Sequence, residues 1–165
     1  MRWFRFAVFI CLVTVLQAGL VDVIAVTRLN IKPDLLLILL VFFSIYCDSS
    51  EAIITSFTIG FSADIIGSAM GVRIISFGLF GTLLAYLHRV ITIKKMPYQS
   101  LAIFITGFLT GVLVHFLTLL KGQPAEPNVY AVVFWTSLYS SFLGPFLFLP
   151  TAWWMRIKTY RFGRR

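Results

Sequence analysis

An all-α integral membrane protein of six transmembrane helices joined by short loops is the fold class this sequence predicts, and three observations carry it. Hydrophobic residues make up 59% of the chain and charged residues only 12%, with a mean hydropathy of +0.94. Soluble globular domains run at about a quarter charged. A chain of 165 residues has too small an interior to hide so much apolar surface from water, so the excess has to face lipid. Apolar runs close to the ~20 residues that cross a ~30 Å hydrocarbon layer also recur along the whole length, leaving no room for a soluble domain. Finally, Lys and Arg divide unevenly between alternate loops, as they do in multi-pass proteins.

The first helix is read over residues 6–26, interrupted only by Gln17 and Asp22. Arg2 and Arg5 give it a basic start, but the apolar run exceeds the about 7–15 residues of a signal core and lacks a small-x-small cleavage site. In "LQAGL", Leu20 stands where a lipidated cysteine would be needed, so the segment is read as a retained helix. The second helix covers 31–47, opening at Pro33-Asp34: proline suits a first helical turn, and an early acid complements the positive helix end. It is short for a full span and is expected to be tilted, shielded by its neighbours or placed where the bilayer thins. The remaining helices are read over 52–69, 72–91, 101–120 and 129–155, the last long enough to tilt or to bend at Pro145. Together they form one domain over 1–165.

With both termini in the cytoplasm, ten Lys and Arg residues lie inside and four outside. That bias sets an even number of spans with both ends in. Trp3, Trp153 and Trp154 sit beside basic residues at the same face, as interfacial anchors do. The net charge of +8 is therefore read as orientation rather than as nucleic-acid binding. Cys11 and Cys47, the two cysteines, both fall on the cytoplasmic half, where no disulfide framework is expected.

No constellation of catalytic groups is visible. The six acids (Asp22, Asp34, Asp48, Glu51, Asp64, Glu126) form no close pair within a span. His88 and His115 lie on different helices without a companion at metal-ligand spacing, and His115 shares the small-residue face of its helix with Gly107 and Gly111. HExxH, GxSxG and phosphate-loop motifs are missing. No metal, cofactor or enzymatic activity is expected. A channel or carrier would show polar residues on several spans or an internal repeat, and neither is found. Small residues do form stripes: Ser56, Gly60, Ala63 and Gly67; Gly78, Gly81 and Ala85; Gly107 and Gly111; Ser137, Ser141 and Gly144. In lipid, such stripes mark helix contacts.

The stretch "SADIIGSAMGVRIIS" (62–76) is the most unusual. Asp64 lies near the outer end of the third helix, Gly67 to Gly71 make the turn, and Arg73 opens the fourth helix. An intramembrane charge costs roughly 2.5–3.5 kcal/mol at mid-bilayer, less near the interface. Two arrangements recover part of that cost: a direct Asp64–Arg73 pair, or Asp64 accepting hydrogen bonds from amides at the helix ends while Arg73 reaches a lipid phosphate. Pro33, Asp34, Gly60, Asp64, Gly67, Gly71 and Arg73 are thus the candidate site residues, as partner interface or as scaffold of the outer half.

These segments resemble a family. "KPDLLLILLVFF" (32–43), "GFSADIIGSAMGVRII" (60–75) and "LLAYLHR" (83–89) look like the MreD family of the bacterial rod-shape system, with Pro33-Asp34 and Gly60-x-x-x-Asp64 as its clearest marks. Phe134-Trp135 and the Pro145 and Trp-rich end of the last helix fit as well; Ser56 departs, standing where members often carry glycine. The resemblance implies a non-enzymatic subunit in the inner membrane that binds MreC. Through it the subunit would serve the elongation glycosyltransferase–transpeptidase pair and the MreB filament, supporting regulated lateral peptidoglycan synthesis and cell shape. It also implies a fold similar to the vitamin-binding subunit of energy-coupling-factor transporters, which is the alternative function. Against that alternative, Ala7, Ala18 and Ala25 give no alanine pair four apart on the first helix, and few polar side chains are available for a vitamin pocket.

Overall fold

The computed structural model describes residues 3–19, 32–67, 70–90, 96–122 and 128–155, side chains at 88–90 and 96 excepted. These residues form six helices and no strand: α1 (Trp3–Gly19), α2 (Leu35–Tyr46), α3 (Ser49–Ile66), α4 (Val72–Val90), α5 (Met96–Leu120) and α6 (Val129–Met155). Five of them close a ring in the order α1, α3, α4, α5, α6 and back to α1, and α2 stands inside it, touching all five.

Several boundaries differ from the sequence expectation, each for a local reason. α2 starts at Leu35, not at 31: Asp34 is extended (φ −90°, ψ 95°) and caps the helix, so Pro33 precedes the first turn rather than forming it. α3 runs three residues earlier than expected at both ends. Asp48 is its N-cap, and Gly67 leaves the helix in an extended conformation (φ −82°, ψ 160°). α5 begins at Met96 because Pro97 is tolerated in a first turn, where its missing N–H would be unpaired anyway. Buried Gln99 fastens this turn by donating to the Tyr46 hydroxyl at 2.9 Å. α6 continues through both Pro145 and Pro150. Residues 20–26 of the expected first helix, together with Asp22, Arg28, Lys94, Lys95, Glu126 and the basic tail from Arg156, lie outside the described residues.

Length separates the central helix from the ring. Twelve residues make α2 about 18 Å long, well short of a ~30 Å hydrocarbon layer. Every residue from Leu36 to Ile45 is buried. Among the described residues, two helices are long and apolar enough to cross a membrane: residues 97–120 of α5 and all of α6. The ring helices turn large apolar side chains outward, among them Leu12 and Val15 on α1, Phe61 and Ile65 on α3, Leu79 and Leu83 on α4, Leu101 and Ile105 on α5, and Phe142 and Phe146 on α6.

Between helices in lipid, burial gains little over exposure because acyl chains are as apolar as leucine; close packing and hydrogen bonds decide the association. The C-terminal end of α2 is packed by aromatic rings, with Phe42 against Phe148 at 5.2 Å and Phe43 against Phe6 at 5.0 Å. At the α3–α4 contact the backbones themselves approach. A Cβ built on Gly60 would lie 2.8 Å from the Ile74 Cα, closer than real side chains come. One contact along, Ser56 nests against Gly81, and its hydroxyl donates to the Ala52 carbonyl at 2.7 Å. Hydroxyls such as Ser76 and Thr151 likewise bond to carbonyls of their own helix, which keeps them satisfied away from water.

Candidate functional site

Two helix starts inside this apolar bundle concentrate its polar groups. A helix begins with four amides that have no intrahelical acceptor, and in a water-free setting each must find one. At the start of α2 the supply comes from three elements. The Asp34 Oδ1 accepts from the Leu37 amide at 3.0 Å, and Gln17 Oε1 on α1 accepts from the Leu35 amide at 2.9 Å. Ser140 Oγ on α6 accepts from the Asp34 amide at 2.9 Å. Gln17 also donates through Nε2 to the Pro33 carbonyl at 3.4 Å. The carboxylate suits the positive helix end, and the amide and hydroxyl tie α2 to the ring on two sides.

At the start of α4 the acceptor comes from another helix. Asp64, in the last turn of α3 and 4% exposed, accepts from three backbone amides across the hairpin. Its Oδ2 takes the Gly71 amide at 2.8 Å and the Ile74 amide at 3.1 Å, and its Oδ1 takes the Arg73 amide at 3.0 Å. An acid in a last turn has the wrong sign for its own helix dipole. The dipole it serves is that of α4, whose positive end it faces. Gly71 has φ +87°, a conformation costly for any other residue except asparagine or aspartate, and this geometry points its amide at the carboxylate. Close approach at Gly60 keeps α3 and α4 near enough for the reach.

Of the two arrangements open to Asp64, the structure adopts the amide one. Arg73 contributes its backbone amide to the carboxylate; its side chain lies alongside Gly67, with Nε 3.5 Å from where a Cβ on Gly67 would stand. That position suits a cation, since Gly67 caps the negative end of α3. Lys121, just beyond α5, donates from Nζ to the Met70 carbonyl of the same hairpin.

Pro33, Gly60 and Asp64 are buried; Asp34, Gly67, Gly71 and Arg73 are partly exposed. None of the bonds made at Asp34 involves a hairpin residue, so the candidates fall into two separate groups. Sequence reasoning missed Gln17, Ser140 and Lys121 as members of these groups. Gln17 had a visible signal, being one of two polar breaks in the first apolar run. Ser140 had a weaker one, next to Ser141, which instead donates to the Ser100 carbonyl at 2.7 Å. His115 packs edge-on against Tyr130 at 5.5 Å. The His88 side chain lies outside the described residues. Cys11 and Cys47 are free thiols, and no three of His, Cys, Asp and Glu gather as metal ligands among the described residues.

Among known protein families, residues 1–158 match that of rod shape-determining protein MreD. The chain belongs to the MreD family. The match encloses all six helices, from Trp3 to Met155. No curated protein and no solved structure matches the chain. Membership makes this a membrane protein of the rod-shape machinery, in keeping with the apolar exterior of the ring. In this MreD-family chain the Pro33-Asp34 and Gly60-x-x-x-Asp64 segments each supply a carboxylate that accepts from amides at a helix start. Ser56 stays compatible with a tight α3–α4 contact because glycine at 81 makes room for it.

Proposed function

We propose that this MreD-family protein is a non-enzymatic, six-span subunit of the inner membrane, both termini cytoplasmic, that binds MreC and thereby supports regulated lateral peptidoglycan synthesis. Residues 1–165 then form a single transmembrane domain. The observation that carries the reading is the family match over 1–158, which takes in every helix of a ring with an outward apolar surface. Five spanning helices would shield α2, whose length falls short of the bilayer. The span of MreC would pack against the outward apolar faces of the ring. Pro33, Asp34, Gly60, Asp64, Gly67, Gly71 and Arg73 serve as scaffold in this reading: they hold the outer end of the ring in one shape, and partner contact depends on that shape. The family match also favours this reading over the vitamin-binding alternative.

The test has two arms. Tagged protein extracted from membranes in a mild detergent should recover MreC, and failure to enrich MreC over an unrelated multi-pass protein would sink the partner assignment. In intact spheroplasts, cysteines introduced at Gln123 and Asn128 should react with an impermeant thiol reagent, and one at Thr159 should not. Labelling at Thr159 from outside would refute the six-span topology.

A further inference from the structure

Two of the four basic residues assigned to the outer face converge on one hairpin end. Arg73 and Lys121 come from different helix termini, yet Arg73 lies beside Gly67 and Lys121 beside Gly71. The Lys121 Nζ bonds to the Met70 carbonyl and lies 3.9 Å from the place of a Cβ on Gly71. That leaves two of its three N–H donors for something else. The Arg73 side chain is held alongside Gly67, partly buried, and among the described residues it has no hydrogen-bond or ion-pair partner. A guanidinium carries five donors and keeps its charge at any physiological pH. The acid nearest in sequence does not neutralise it: Asp64 is buried and turned inward onto three amides. Around these cations the surface is apolar, with Met70 79%, Leu120 68% and Ile65 65% exposed.

We propose that this end of the hairpin seats the phosphate of an anionic phospholipid, with Arg73 as a forked donor and Lys121 as a second charge. Arg pairs with phosphate through two parallel N–H donors, and Lys adds a point charge. The exposed Ile65, Met70 and Leu120 select a lipid over a soluble phosphate, because they offer acyl chains a surface beside the headgroup. The inference rests on the membrane reading above but not on its orientation, since the seat is the same whichever leaflet it meets.

Full-length protein in a non-ionic detergent is titrated with phosphatidylglycerol or phosphatidylcholine of equal chain length, and bound lipid is counted by native mass spectrometry. The wild-type chain should prefer phosphatidylglycerol by about fivefold or more. Changing Arg73→Gln together with Lys121→Gln should remove most of that preference, whereas Arg73→Lys alone should keep the larger part. The basic tail adds the same background to every variant, so the difference between variants is what is read. A melting temperature of the double variant close to wild type separates lost binding from lost fold. An undiminished preference in the double variant overturns the proposal. Displacement of the lipid by millimolar inorganic phosphate overturns the assignment to a lipid. Labelling at Gln123 and Thr159 reports the topology independently, so a failed orientation and a failed seat are told apart.

Discussion

The starts of α2 and α4 face the same electrostatic problem and solve it over different distances. α2 is capped from nearby: Asp34 reaches the Leu37 amide three residues on, while Gln17 and Ser140 supply one acceptor each. Among the described residues, α4 is capped from across a hairpin by the one side chain of Asp64, which reaches amides seven, nine and ten residues on. The first arrangement divides the load among three side chains on three helices. The second places it on one carboxylate, and it works only while α3 and α4 stay in contact. Distributed caps tolerate the loss of a member; a single remote cap does not.

The largest expected effect is therefore at Asp64. Asp64→Ala leaves three partly buried amides without their acceptor, and with charged hydrogen bonds worth about 1.5–3 kcal/mol each before relaxation, the loss should be on the order of 4 kcal/mol. Thermal unfolding in detergent measures it. Adding Arg73→Ala should restore nothing, because the guanidinium is not the partner; a substantial recovery would revive the direct ion pair. Gly60→Ala comes next. Its methyl meets backbone at 2.8 Å, so the helices must separate, at about 1–3 kcal/mol. Its melting temperature should fall while Gly19→Ala, with nothing within 4 Å, leaves it unchanged. Asp34→Ala should cost less again, about 1 kcal/mol, as for an ordinary cap. If Asp34→Ala proved as damaging as Asp64→Ala in the same unfolding assay, the contrast between shared and single caps would be lost.

The contrast also explains what could be read in advance. Asp34 was legible as an acid at the start of the second helix, though as a first-turn residue rather than as the cap it forms three residues before the amide it serves. Asp64 was legible only as an oddity, an acid near the end of a span, with two arrangements open to it. Choosing between them needs the position of α4 relative to α3, which rests on Gly60 and on the positive φ of Gly71. The roles of Gln17 and Ser140 were hidden for a similar reason, since they bond to a helix start more than 15 residues away in one case and more than 100 in the other. Six helices were readable from apolar runs, and shielding of the second by its neighbours was one of three readings, but the apolar pattern could not choose it. In a membrane, lipid-facing and core-facing surfaces are both apolar, so "LLLILLVFF" looks the same on either. Its shortness was the available hint.

The order of the ring has a consequence for how the protein is made. Going round from α1, the helices follow the order of synthesis with α2 left in the middle, so the last helix completed must close on the first. If the helices insert in chain order, the first five would leave an open crescent, with α2 reachable by lipid until α6 closes it. The joint that α6 forms with α1 is a light one: Phe9 stacked on Trp154 at 6.3 Å, and the Trp154 indole donating to the Arg5 carbonyl at 3.5 Å. A seam closed last and held lightly is also the natural place for the finished ring to reopen, without disturbing the α3–α4 hairpin on the opposite wall.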